Sequence, residues 1–205
     1  MKLRFYYVRH GETLFNVIGR SQGWCDSPLS ETGIAQAKQT AERFVNIHLD
    51  RAFSSSTERA YDTAVEIVKR QQLPIVRLKG LREMFFGSLE GSQLGEENDM
   101  ARCWREKDFT SFGGENKEQF ITRIQDTFEW IIQQCEDNDQ VLIVAHNGYF
   151  FYMMEALFGY SLQELEAKGP TIMAHLVPNA STAVFTYEDG CFKLEQLPSK
   201  EGITL

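Results

Sequence analysis

Short apolar runs alternate with amphipathic stretches along this chain, and that alternation limits its fold more than any other feature. "LRFYYV", residues 3–8, is aromatic and β-branched and stops just before Gly11, the pattern of a buried strand. "RAFSS", "PIVRL" and "QVLIVA" (140–145) repeat that pattern. Between the first two, Pro28 and the N-cap residue Ser30 open a stretch in which Ile34, Ala37, Ala41, Phe44 and Val45 recur at helical spacing. Ser55 and Glu58 have the spacing of a capping box ahead of a helix over "TERAYDTAVEIVKRQQ". Phe120, Ile124, Phe128, Ile131 and Ile132 mark an amphipathic helix over 116–137. Asn147 and Gly148 break the "QVLIVA" run, and "YFFYMMEALFG" resumes as an apolar helix that could face a core or a partner, which leaves a homodimer open. "STAVFTY" and "CFKLEQL" flank Glu188-Asp189-Gly190, a hairpin signal. The expected fold is α/β: a three-layer α/β/α sandwich with a mostly parallel central sheet, one antiparallel strand from the hairpin, and residues 84–115 inserted as a lid. The absence of repeats and linkers makes residues 1–205 a single domain in this reading.

Composition narrows the function. A formal net charge of −8 argues against a nucleic-acid partner, although clustered Arg can still make one cleft attractive to an anion. Cys25, Cys103, Cys135 and Cys191 lie far apart, so neither a zinc site nor a redox pair is suggested. No apolar stretch approaches the ~20 residues of a membrane span, and "MKLRFYYVRH" lacks the apolar run of a secretory leader. A reduced cytoplasmic protein without membrane attachment is the expectation.

Ligands of open α/β sheets sit beyond the carboxyl ends of the strands. Three such ends carry reactive side chains: Arg9-His10-Gly11, Ser54-Ser55 leading to Arg59, and His146-Asn147-Gly148. If the strands are parallel neighbours, two guanidiniums and two imidazoles share one pocket. Arg forks match phosphate oxygens two at a time, and helices starting after Ser55 and His146 add N–H donors. A histidine beside an arginine is disfavoured as imidazolium, so His10 is expected neutral and ready to attack phosphorus. Gly11 would let the phosphoryl group approach the backbone. Glu83, followed by Met84, Phe85 and Phe86, is expected to be a buried acid that protonates the leaving group and later takes a proton from water.

Singly, these residues say little. Arg9-His10 is a solvent-exposed strand-end pair in the plainer reading, Arg59 a helix-surface cation, and Glu83 one exposed acid among many. His48 reads as surface, His175 carries no assignment, and Met153 and Met154 read as core. The joint placement at strand ends gives the chemical reading its weight.

At this point the chain closely resembles the histidine phosphatase superfamily, also called the phosphoglycerate mutase-like family. "VRHGET" with Asn16, "GWCDSPLSETG", "FSSSTERAYDTA", "EMFFGSLEG" and "VAHNG" match that family's motifs in order across nearly the whole chain. The resemblance implies that His10 becomes phosphorylated, that Arg9, Arg59 and His146 bind the phosphoryl group, and that Glu83 donates the proton. It implies that Asn16 contacts phosphoryl oxygens, with Gln22 and Gly23 at the entrance. It implies no metal and no organic cofactor, and a small phosphorylated metabolite as substrate.

Two departures are visible. Asn147, counted here with the substrate-binding residues, stands where many members have Gly directly after the distal histidine. Residues 92–116 hold Arg102, Arg105 and Lys107 but not the adjacent arginine pair with which the mutases grip a carboxylate. "FGGENKEQF" resembles the Gly-Gly-Glu turn of the phosphatase branch instead. A phosphatase is therefore favoured over a mutase, and both over a phosphate-binding module without turnover. Phe85, Phe86, Trp104 and Phe109 either shape the leaving-group side or serve packing.

Overall fold

The computed structural model describes residues 1–95, 97–161 and 177–203. Six strands, numbered in chain order, form one sheet among these residues: β1 (Lys2–Arg9), β2 (Arg51–Ser55), β3 (Ile75–Leu78), β4 (Gln140–Ala145), β5 (Thr182–Glu188) and β6 (Cys191–Ser199). The order is β3-β2-β4-β1-β5-β6. β1, β2, β3 and β4 pair in parallel; β5 runs antiparallel to both β1 and β6, so it alone opposes the others. The expected single antiparallel strand is therefore β5. Asp189 and Gly190, both at positive φ (50° and 87°), close its hairpin with β6.

Six helices accompany the sheet among the described residues: α1 (Leu14–Val17), α2 (Glu31–Arg43), α3 (Glu58–Val68), α4 (Asp99–Glu106), α5 (Lys117–Gln133) and α6 (Asn147–Phe158). Strand side chains alternate between faces, and the core divides accordingly. Leu3, Phe5 and Tyr7 of β1 join Val141 and Ile143 of β4 in a cluster with Phe128 of α5 and Phe150 of α6. Tyr6 and Val8 join Leu142 and Val144 in the opposite cluster, with Ala60, Ala64 and Ile67 of α3 and Phe44 beyond α2. Met153 and Met154 are buried, so α6 spends its apolar surface inside this chain. None of the described helices is long and apolar enough to cross a membrane.

Several local readings need correction. α2 does not bury Ile34, nor the following segment Val45; they are 41% and 49% exposed. It buries Gly33, Ala37 and Thr40 instead. The reason is a close backbone approach: a Cβ on Gly11 would lie 2.5 Å from the Gly33 carbonyl oxygen, and one on Gly33 only 1.9 Å from that of Glu12. Gly11 thus faces α2, so this packing already requires its missing side chain. The Ser55–Glu58 capping box does not form. Thr57 is the N-cap of α3, without a side-chain cap, and the Glu58 N–H donates to Asp26 Oδ2 instead of to Ser55. α3 and α5 end four residues short of the expected limits, and α6 begins at Asn147 with His146 as N-cap.

Segment 84–115 contributes Met84, Phe86, Met100, Cys103 and Phe109 to the larger core cluster. Trp104 packs on Phe86 and Phe109 at ring-centroid distances of 5.3 and 5.5 Å. His48 is exposed beside Asp50. His175 lies outside the described residues.

Gly33→Ala should destabilise the protein although alanine favours helix by roughly 1 kcal/mol. Backbone atoms must shift to admit the new Cβ, at about 1–3 kcal/mol for overpacking. Chemical denaturation checks this; a stabilised variant would refute the close approach.

Candidate active site

β1, β2 and β4 are parallel neighbours, so their carboxyl ends lie side by side, and each ends in a reactive residue. His10 is 4% exposed, His146 1% and Arg59 1%. The two imidazole rings lie 5.3 Å apart, centroid to centroid, at 60°.

Hydrogen bonds fix both tautomers. His10 Nδ1 is 2.7 Å from the Gly11 carbonyl oxygen. A carbonyl only accepts, so Nδ1 carries the proton and Nε2 keeps its lone pair. His146 Nδ1 is 3.3 Å from Arg59 Nη2, which only donates, so His146 carries its proton on Nε2 and donates to Ser55 Oγ at 2.8 Å. Tyr7 clamps His146 from the core side: its hydroxyl donates to the His146 carbonyl at 2.6 Å and accepts from the His146 N–H at 3.0 Å.

Arg59 leaves the first turn of α3 into the interior, not onto the surface. Nη1 donates to the Cys25 carbonyl and to Asp26 Oδ1, each at 2.9 Å, and Nη2 to the Gly23 carbonyl at 2.8 Å. Arg9 Nη1 donates to the Val177 carbonyl at 2.6 Å. The Nε atoms of both arginines are buried without a partner among the described residues. A buried N–H left unpaired costs about 1–3 kcal/mol, more when charged, so an oxyanion that accepts from it binds favourably.

Electrostatics follow from burial and these two cations. His10 is held well below the ordinary imidazole pKa by burial first, then by Arg59 and Arg9. His146 is lowered likewise, by burial, Arg59, His10 and Arg9. Burial also lowers Arg9 to about 10, against the opposing pull of Glu83. Glu83, 8% exposed, is raised by burial and held back by N–H groups of Met84 and Gly148 and by the arginines. Those N–H groups lie 2.9 and 2.8 Å from its two oxygens. The site therefore offers two neutral imidazoles, two guanidiniums and one elevated carboxyl.

The remaining expected residues frame this centre. Asn16 sits at the third position of α1, its Oδ1 accepting from the Thr13 N–H at 3.1 Å and from Asn179 Nδ2 at 3.3 Å. Gln22 Oε1 accepts from Thr13 Oγ1 at 3.0 Å. Gly23 has φ +58°, and a Cβ there would meet Glu90 Oε1 at 2.5 Å. Asn147 opens α6 and is half-buried; the tight contact falls one residue later, where a Cβ on Gly148 would lie 2.7 Å from Glu83 and 2.9 Å from Trp104. Among the described residues, no three His, Cys, Asp or Glu side chains gather as metal ligands would.

Sequence reasoning missed Tyr7, Asp26, Glu90 and Asn179. Tyr7 had a signal: a hydroxyl on the core face of a strand needs a partner. Glu90 also had one, as an acid four residues past the buried Phe86. It accepts from the N–H groups of Trp24 and Cys25 at 2.7 and 2.6 Å and so shapes the loop whose carbonyls hold Arg59. Asn179, donating to the His10 carbonyl at 3.1 Å, reaches the site only through the fold.

The carboxyl ends of the parallel strands thus gather two buried imidazoles, the buried Arg59, the half-buried Arg9 and a buried carboxyl in one polar centre. The chain belongs to the histidine phosphatase superfamily, branch 1, whose family model matches residues 5–199. It is 30% identical over 193 residues to phosphoserine phosphatase 1 of Hydrogenobacter thermophilus, covering 91% of this chain and 88% of that one. It is 31% identical over 162 residues to a probable phosphoglycerate mutase of Proteus mirabilis, covering 77% and 75%. The crystal structure of the alpha-ribazole phosphatase from Shigella flexneri superposes with a TM-score of 0.81 over 98% of this chain and 99% of that one; at 24% identity it speaks for the fold alone.

Both imidazoles have folded-state pKa values below their unfolded value of about 6.5. Above that pH neither state takes up the proton and their contribution to stability is complete. Below it only the unfolded chain is protonated at these rings, so stability falls as pH falls, by up to ~1.4 kcal/mol per pH unit for each ring. Glu83 works in the opposite sense, since its raised pKa favours the fold as pH drops. Urea unfolding between pH 7.5 and 5.5 should show the loss, with a shallower slope in His10→Asn. An unchanged slope would mean that His10 is not buried neutral.

Proposed function

We propose that this protein is a phosphomonoester hydrolase that works without a metal ion, through a phosphorylated His10, on a small phosphorylated metabolite. The observation that carries this reading is the His10 Nδ1–Gly11 carbonyl bond, which leaves Nε2 as an unprotonated nucleophile within the field of the buried Arg59 and the half-buried Arg9.

The phosphoryl group enters with its oxygens on Arg9 and Arg59, whose unpaired Nε–H groups gain acceptors. Nε2 of His10 forms a bond to phosphorus as the ester P–O bond breaks. Glu83, in its protonated form, gives its proton to the departing alkoxide. The Glu83 carboxylate then takes a proton from water as that water attacks phosphorus, and the P–N bond breaks to release phosphate. His146 is neutral without a ligand because it is buried and lies near Arg59 and Arg9; a bound phosphate dianion supplies the opposite charge and makes it a donor to a phosphoryl oxygen.

The relatives named as phosphatases support hydrolysis, and so does the lack of an adjacent arginine pair in 92–116. Arg102 forms ion pairs with Asp99 and Glu106 on the surface of α4.

Hydrolysis of an aryl phosphate should persist in EDTA. His10→Ala should abolish the chemical step, and Arg59→Ala should lower the rate by about 10²–10³. Rapid quenching at alkaline pH followed by mass spectrometry should find an acid-labile phosphate on His10. Loss of turnover in EDTA with recovery on adding a divalent metal would reject hydrolysis without metal. Rapid interconversion of 2- and 3-phosphoglycerate with a bisphosphate primer would replace the hydrolase by a mutase.

A further inference from the structure

Arg123, on α5, takes no part in the site described above, yet all five of its N–H donors are engaged around the segment that carries Glu83. Nη1 donates to the carbonyls of Gly80 and Arg82 at 2.8 and 2.9 Å, and Nη2 to the carbonyl of Glu83 at 3.1 Å. Nε and Nη2 also pair with both oxygens of Glu115, at 2.8 and 2.7 Å. Glu115 in turn accepts from the Phe85 N–H at 2.9 Å, and its own N–H donates to the Phe85 carbonyl at 2.8 Å. One guanidinium and one carboxylate, each at most 17% exposed in the side chain, thus grip the backbone from 80 to 85. That backbone has no sheet to hold it: β3 ends at Leu78, and only a short 3-10 turn (Lys79–Leu81) precedes the acid. Trp24 Nε1 adds a second donor to the Glu83 carbonyl at 2.9 Å.

We propose that Arg123, oriented by Glu115, is the positioning residue for the proposed general acid Glu83. The inference rests on the hydrolase reading and deepens it. Proton donation needs the carboxyl within hydrogen-bond reach of the leaving oxygen, and a displacement of about 1 Å costs on the order of 10²-fold. Lysine cannot replace arginine here, because one ammonium on a flexible stem cannot span three carbonyls and a carboxylate fork.

The leaving group supplies the test. An aryl phosphate departs as a weakly basic phenolate and needs little proton donation; an alkyl phosphate departs as a strongly basic alkoxide and needs it fully. Values of kcat/KM, which report transfer to the enzyme, are measured with p-nitrophenyl phosphate and glycerol 2-phosphate for wild type, Arg123→Lys and the milder Glu115→Gln. Folding of each variant is checked by its thermal transition. The expected result is a loss of ~10–100-fold for the alkyl ester and under ~3-fold for the aryl ester, with no further loss of alkyl turnover when Arg123→Lys is added to Glu83→Gln. Equal losses for both esters in folded Glu115→Gln, or an additional alkyl-selective loss in the Glu83→Gln background, would overturn the proposal. Wild type that hydrolyses neither ester would instead remove the hydrolase reading itself.

Discussion

A buried, charged arginine governs this structure. At 1% exposure, Arg59 cannot rely on water, and an unpaired guanidinium would cost several kcal/mol. Loop 23–26 satisfies it by turning two carbonyls and one carboxylate inward, which requires Gly23 at positive φ and Glu90 beneath the next two N–H groups. The same cation reaches His146, and through Thr63 its own turn of α3 is tied to Gly11. Pairing is nevertheless left incomplete at Nε. Complete internal pairing would make a more self-sufficient interior and a poorer anion receptor.

The sheet explains why two imidazoles can be held this close without charge. Each follows the last residue of a parallel strand, and β1 and β4 are direct neighbours in register from Arg4–Gln140 to Arg9–Ala145. His10 N–H donates to the Ala145 carbonyl at 3.0 Å, so the pairing continues one residue past the ladder. Backbone hydrogen bonds, not ring–ring contact, set the separation. Two protonated rings at 5.3 Å, among two guanidiniums, would repel strongly in a buried setting. Neutrality is thus a condition of the fold as well as of the proposed nucleophilic attack.

How much of this could be read from residues alone depends on the range of the interaction. The aromatic and β-branched run "LRFYYV" and the apolar run "QVLIVA" gave their strands, because burial on both faces dictates side-chain type. Their reactive ends could be named only together: Arg9-His10 alone reads as a solvent-exposed pair, and it is the joint placement with Arg59, Glu83 and His146 at predicted strand ends that pointed to a site. α2 misled because its packing selects the absence of a side chain at Gly33, which hydrophobic spacing cannot register. Ser55 misled because the N–H it was expected to cap, that of Glu58, is taken by Asp26 from a loop 32 positions away. Asn179 lies 169 positions from His10, and no local pattern connects them.

The same distinction bears on Asn147. A residue bulkier than glycine after the distal histidine is troubling only if that position is where the acid approaches the helix. Here the approach falls on Gly148, whose N–H donates to Glu83 and whose Cβ, were there one, would strike both the carboxylate and Trp104. Asn147 is only half-buried at the start of α6. The acid therefore rests on the second residue of the helix, where an N–H is still free of intrahelical pairing. That N–H favours the carboxylate while burial favours the acid, and the proposed role of Glu83, giving and retaking a proton in one cycle, would need both pressures in near balance.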